Sequence, residues 1–376
     1  MNQTQKSQLT VRTGRLPSGP SPRRSGSGRA SGESVRTSIV CAYASPACDR
    51  KPKCCLDRNA SGAKNDAPQF PGLRTRMSKP ERKRFLLVFN ATAGVKGCNL
   101  VEDVVADLER RGAQVTRCAP GEDAMGQAVA DAAQNYDAVI AAGGDGTVRA
   151  LAAALNGAAV PIALIPMGTG NVLAAETGMP RRAAALSEII VNGPEQYVSG
   201  ARANGQPFYL MAGAGFDGAA VSGLNTPLKR RIGKLAYAGP GLAALTAKPP
   251  VLDVVVDGKT YQANWVVIAN GQRYGGPFTI TRKADLRTPG LQAVLITAKT
   301  RLSLMAKVAR LGLASLDGAK GVRVIPCQTA SVQSALPIAV QVDGDPYGFT
   351  PLNVEAGGSG FNFIVPDAYA RTTVER

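Results

Sequence analysis

The stretch Ala141-Ala142-Gly143-Gly144-Asp145-Gly146-Thr147 constrains this 376-residue chain more than any other. It follows the apolar run Asp137-Ala138-Val139-Ile140 and precedes a helix-forming run from Val148 to Leu155. A buried strand that feeds a glycine-dense turn into a helix N-terminus leaves several backbone N–H groups pointing outward, with no side chain to keep an anion away. The turn reads as a phosphate seat. Asp145 sits awkwardly there, because a carboxylate repels a bound anion unless a cation lies between them; it implies Mg²⁺ beside a nucleotide polyphosphate. A tight turn with an N-cap Asp explains a lone motif of this length equally well.

A second turn of the same kind shifts that balance. Pro161-Ile162-Ala163-Leu164-Ile165 is another short apolar strand, ending in Pro166-Met167-Gly168-Thr169-Gly170-Asn171 ahead of the helix-like Val172-Leu173-Ala174-Ala175-Glu176. Parallel strands of an open α/β sheet place their following turns along one edge, where ligands bind. Both glycine turns are expected to face one ligand.

Strand-GGDGT followed by strand-P-x-GTGN resembles the catalytic domain of diacylglycerol kinases and their bacterial lipid-kinase relatives, a superfamily that includes sphingosine and ceramide kinases. NAD kinases share the first turn and are not expected to carry the second. The resemblance spans about Pro80 to Pro366. It implies ATP and Mg²⁺ as cofactors, with Asp145 near the metal. The backbone from Gly143 through Gly144, Asp145 and Gly146 to Thr147, the turn Gly168-Thr169-Gly170-Asn171, and Asn90 and Thr116 at the ends of the first two strands would hold the nucleotide.

Composition narrows the chemistry. No histidine occurs, which excludes Ser-His-Asp and Cys-His catalysis and any histidine-bound metal. Acid–base work must fall to Asp, Glu, Lys or Tyr. Seven scattered cysteines imply no disulfide framework and fit a reducing cytoplasm. The formal charge of +17 resembles a nucleic-acid signal until it is divided: residues 1–84 carry 18 Lys/Arg against 5 Asp/Glu, which leaves +4 for the rest. Residues 1–78 are expected to be a disordered basic tail rich in Ser, Gly, Pro and Arg. A transit segment, a polybasic arm on anionic lipid, and an over-called start before Met77 all fit it, the last best. No stretch approaches the ~20 apolar residues that span a bilayer. A cytoplasmic protein in peripheral contact with the inner face of a membrane is expected, with no nucleic-acid partner and a homodimer left open.

The expected architecture is a doubly wound α/β nucleotide-binding domain over 79–194, followed by a mainly antiparallel β-sandwich over 195–376 whose last segment returns to the first domain, with the active site in the cleft between them. Arg84 to Asn90 reads as the first strand, Leu100 to Arg110 as a helix, Ala113 to Thr116 as the second strand, and about Asp123 to Asn135 as a helix. Neither a Rossmann G-x-G-x-x-G nor a Walker A lysine is present. In the second half, short β-type runs are interrupted by one helical segment, about Lys229 to Ala247.

The resemblance assigns further residues there. Gly213 to Asp217 matches a G-x-G-F-D turn in which Asp217 would orient the acceptor hydroxyl, an N-cap being at least as good an explanation. Arg230, Arg231 and Lys234 resemble a phosphate-approaching basic stretch, although a solvated helix face suffices for each. Gln341-Val342-Asp343-Gly344-Asp345 matches Q-x-D-G-E, whose last acid is the general base; Asp345 is one methylene shorter. Asp145 is the alternative base. Three departures stand out. Arg149 replaces a frequent Asn and Val172 a frequent Asp. Pro289 replaces the Asp of a D-G-L-L motif that holds a structural Mg²⁺, so that site is expected to be lost, with Asp285 a weak substitute.

The expectation is an ATP- and Mg²⁺-dependent kinase of a lipid hydroxyl. An NAD-kinase-like phosphotransferase and a non-catalytic nucleotide or lipid sensor are its rivals.

Overall fold

The computed structural model describes residues 81–89, 98–118, 129, 132, 134–168, 170–222 and 249–372. The basic tail, Asn90, Thr169, most of the 123–135 segment and the 229–247 segment with Arg230, Arg231 and Lys234 lie outside them.

The first half alternates strands and helices. Strand β1 (Arg84–Phe89) leads to α1 (Cys98–Arg110), β2 (Gln114–Cys118), β3 (Ala138–Gly143), α2 (Asp145–Leu155), β4 (Ile162–Pro166), α3 (Val172–Thr177) and α4 (Ala183–Asn192). β3 and β4 are buried at every residue, as befits central strands of a parallel sheet covered on both faces. The order is β2-β1-β3-β4, all parallel, with Val139 beside Ile162 and Gly143 beside Pro166. That register brings the two glycine turns out at the same sheet edge.

The second half is β5 (Glu195–Ala203), β6 (Gln206–Phe208), β7 (Met211–Ala214), α5 (Phe216–Ser222), β8 (Leu252–Val256), β9 (Lys259–Ala263), β10 (Trp265–Ala269), β11 (Arg273–Tyr274), β12 (Phe278–Thr279), β13 (Leu291–Ile296), α6 (Arg301–Leu313), β14 (Val322–Cys327), β15 (Thr329–Gln333), β16 (Ala339–Val342), β17 (Asp345–Phe349), β18 (Leu352–Ile364) and α7 (Asp367–Arg371). An antiparallel sheet runs β14-β13-β10-β7-β16-β17. The other layer is continuous with the nucleotide sheet, because β18 joins β4 at Phe363 beside Ile162 and extends the order through β15, β8 and β9. β8 alternates buried and exposed residues, with Leu252, Val254 and Val256 facing inward beside Val332 of β15 and sharing a core with Val266 and Ala293 of the antiparallel sheet.

α6 is a helix that periodicity does not announce. Its buried residues, Leu304 and Leu311, are flanked by exposed Leu302, Met305 and Leu313, so no single apolar face marks it.

Candidate active site

The two glycine turns are pressed together. A Cβ on Gly168 would lie 2.7 Å from the Gly144 Cα and 2.8 Å from Oδ1 of Asn171, distances no real side chain tolerates. The Gly143 carbonyl accepts from the N–H groups of Met167 (2.8 Å) and Gly168 (3.3 Å), extending the β3–β4 ladder into the turns. Gly144 is the N-cap of α2 in extended conformation and brings no side-chain cap. The Thr147 N–H turns back to the Gly144 carbonyl (3.0 Å), and the helix N-terminus at Asp145 and Gly146 lies at the sheet edge, where its dipole would favour a phosphate.

Asp145 joins the turns. Its Oδ2 accepts from the Val172 N–H and its Oδ1 from the Leu173 N–H, both at 2.9 Å, so it caps α3 and not its own helix. Two donors at the start of α3 are thus already taken by protein. Burial pushes the Asp145 carboxyl above its ordinary range against the pull of those two N–H groups, and the nearby charge of Asp345 pushes the same way. A divalent cation would relieve both effects. Oδ1 of Asn171, a residue in left-handed conformation whose Nδ2 donates to the Gly168 carbonyl, is buried without a partner among the described residues. Asp145 with Asn171 therefore fits a Mg²⁺ that takes its other ligands from phosphate and water, the usual arrangement for that ion. Among the described residues there is no cluster of three or more metal-ligating side chains.

Asp345 opens β17 across from α2. A Cβ on Gly146 would sit 3.8 Å from its Oδ2, so the carboxylate overhangs the start of α2. Arg149, one turn further along, donates from NH2 to Asp345 Oδ2 (2.7 Å) and from NH1 to the Val342 carbonyl (3.2 Å). Arg149 and Asp345, far apart in sequence, thus meet in space. A small hollow beside them is lined by Asp145, Val148, Arg149, Leu173, Tyr209, Leu210, Asp343 and Phe361.

The Gln341 to Asp345 segment is held from behind. Asp343, in left-handed conformation, accepts from the backbone N–H groups of Tyr209 (3.1 Å), Leu210 (2.8 Å) and Met211 (3.1 Å); burial raises its carboxyl to about 6. Gln341 accepts from the Gly344 N–H (2.8 Å) and donates to Asp217 Oδ2 (2.8 Å). Asp217 is only 1% exposed, its other oxygen takes the Tyr274 hydroxyl, and burial raises its carboxyl to about 6. It lies in the first turn of α5, behind Gln341, with both oxygens committed to protein donors. Thr116 is exposed on edge strand β2, separated from β3 by β1, about 10 Å at two strand spacings.

Pattern reading missed three residues. Glu176 on α3 accepts from the N–H groups of Gln272 (3.1 Å) and Arg273 (2.7 Å), fastening the second turn's helix to the β11 loop. A lone charge in the apolar run of α3 was the only signal. Tyr274 carried none. Arg287 pairs with Asp285 through Nε (2.8 Å) and NH2 (3.2 Å), so a guanidinium occupies the carboxylate proposed as a substitute metal ligand. Pro289 offers no ligand, and a structural Mg²⁺ does not fit there.

Residues 84–203 match the family model described as diacylglycerol kinase catalytic domain, and 211–368 match the YegS C-terminal NAD kinase beta sandwich-like domain. A diacylglycerol kinase of Mycobacterium tuberculosis is 30% identical over 54% of this chain and 69% of its own length. A diacylglycerol kinase of Bacillus subtilis is 28% identical over 61% of this chain and 79% of its own. An uncharacterized Synechocystis protein is 27% identical over 61% of this chain and 54% of its own, so this chain spans about half of that relative. The crystal structure of a Bacillus anthracis diacylglycerol kinase superposes with a TM-score of 0.61 over 77% of this chain and 99% of the other, and at 20% identity that likeness bears on the fold. With paired glycine turns on a parallel sheet and an antiparallel sandwich behind them, the chain belongs to the diacylglycerol kinase catalytic-domain family.

Proposed function

We propose that this protein is an ATP- and Mg²⁺-dependent lipid kinase that transfers the γ-phosphate to a lipid hydroxyl. The observation that carries this reading is the apposition of Gly144 on Gly168 with the carboxylates of Asp145 and Asp345 at the same edge. The N-terminus of α2 would bind phosphate oxygens, and the glycines let the backbone reach them. Asp145 and Asn171 would hold Mg²⁺ when the nucleotide is bound, and the ion would supply charge neutralisation on the transferring group. Asp345 would take the proton of the attacking hydroxyl, and Arg149 would orient that carboxylate and offset charge beside it. Asp343, Gln341 and Asp217 position Asp345 through the β16–β17 turn.

One observation favours a second reading. Asp345 is engaged by Arg149, and a carboxylate held in an ion pair is a weaker base, which suits a protein that binds nucleotide without turning it over. Asp345→Ala separates the two: a kinase keeps ATP affinity and loses transfer, whereas a sensor has no transfer to lose.

A further inference from the structure

Helix α6 carries apolar side chains on opposite faces. Leu304 and Leu311 pack inward, while Leu302, Met305 and Leu313 are 77%, 48% and 92% exposed. At 3.6 residues per turn, positions 302, 305, 306, 309 and 313 fall within a sector of about 100°. The outward side chains form one unbroken stripe, with Ala306 and Ala309 filling it between the larger residues. A contiguous exposed stripe of this kind is the mark of an interaction surface.

Its surroundings are cationic. Lys299, Arg301, Lys307 and Arg310 lie in a stretch, 298–316, without one Asp or Glu. Arg301 and Arg310 flank the stripe on its two sides and Lys299 precedes it, whereas Lys307 lies toward the inner half of the helix and donates to the Lys320 carbonyl; Arg310 donates to the carbonyls of Ser315 (3.2 Å) and Asp317 (3.3 Å), and among the described residues none of these cations is ion-paired. The stripe also borders the site. α6 packs on β12, where Phe278 is partly exposed, and Gly276 and Pro277 of the β11–β12 loop share a hollow with Gly170 and Asn171 of the second glycine turn.

We propose that the outer face of α6, continued by Phe278, docks on an anionic lipid bilayer. Leu302, Met305 and Leu313 enter the boundary between headgroups and acyl chains, and the flanking cations meet lipid phosphates. Charge favours this occupant over a second copy of the chain, since a two-fold contact would set Lys299, Arg301 and Arg310 against themselves. The surface gives the lipid-kinase reading its access to substrate and rests on that reading, but docking itself requires no phosphate transfer.

The test uses the full chain without ATP. Its one tryptophan, Trp265, is fully buried and gives a constant background, so Met305→Trp reports on the stripe. With phosphatidylglycerol vesicles the added tryptophan is expected to shift to shorter wavelength and to be quenched by brominated acyl chains; phosphatidylcholine vesicles alone are expected to produce little change. Leu302→Ser/Met305→Ser/Leu313→Ser should weaken partitioning by roughly tenfold or more. Unchanged emission while the protein pellets with vesicles would assign binding to another basic part of the chain, such as the tail or the 229–234 stretch, and overturn the proposal. So would a concentration-dependent dimer that the triple variant abolishes. A chain that docks through Met305 yet phosphorylates no lipid contradicts the kinase reading alone; transfer to a short-chain soluble acceptor without docking contradicts this one alone.

Discussion

The guanidinium of Arg149 lies 2.7 Å from the carboxylate of Asp345, across 196 positions of sequence. The contact joins the first residue of β17 to the middle of α2. The pair is 29% and 45% exposed, so its worth to folding is below about 1 kcal/mol. Its effect belongs in turnover. Asp345→Asn should lower kcat by about 10² or more, and Arg149→Asn by roughly tenfold. The double variant Arg149→Asn/Asp345→Glu, which installs the residues that the resemblance leads one to expect, should recover activity beyond either single change, a coupling of about 1–3 kcal/mol in a double-mutant cycle. Additive losses in steady-state kinetics would show that the two side chains act independently.

The contact of Gly144 with Gly168 leaves no room for a methyl group. Gly168→Ala must push two backbones apart, which should cost about 1–3 kcal/mol in urea denaturation and weaken ATP binding by about tenfold or more. Gly312→Ala is the contrasting change: nothing lies within 4 Å of its added Cβ and the residue is helical, so stability should rise by about 0.5–1 kcal/mol.

Asp217 makes stability depend on pH. Burial raises its carboxyl from 3.8 to about 6, so the folded state binds more protons than the unfolded chain between those values. Its contribution is complete below pH ~4, falls as pH rises toward about 6, and is flat above; the total is at most about 3 kcal/mol. Asp217→Asn cannot titrate. Wild type should therefore lose stability relative to that variant across this window, by denaturant titration at successive pH values. A constant difference would mean that Asp217 stays ionised inside the protein.

Arg287 stands beside the 285–290 segment that the sequence offers as the counterpart of a structural Mg²⁺ site. It holds Asp285 and lies over the Tyr369 ring at 5.4 Å. With both partners of the ion pair largely buried, Arg287→Ala should cost about 3 kcal/mol by leaving Asp285 uncompensated near Glu176. EDTA should leave the thermal midpoint of the nucleotide-free wild type unchanged. A clear fall on chelation would place a structural cation in the fold after all.

The turns were legible because their information is local: β3 and β4 are short, wholly apolar runs, and the glycines that follow are required by a contact between those same two turns. The sandwich strands were legible for the same reason, through alternation such as that of β8. What was hidden is long-range. Nothing in residues 145–149 announces that Asp145 caps the next helix or that Arg149 reaches β17. Glu176, Tyr274 and Arg287 act through partners brought near by the fold. α6 escaped notice for a different reason, its two apolar faces blurring the period that reveals a helix with one.

Phosphate transfer from γ-labelled ATP tests the central claim most directly, with the full chain, Mg²⁺, a panel of mixed lipid micelles and free NAD as acceptors. Label should appear in one lipid class, should require Mg²⁺, and should vanish in Asp345→Asn while ATP still binds. Label in NAD, or none in any acceptor with ATP binding intact, would contradict the lipid-kinase account.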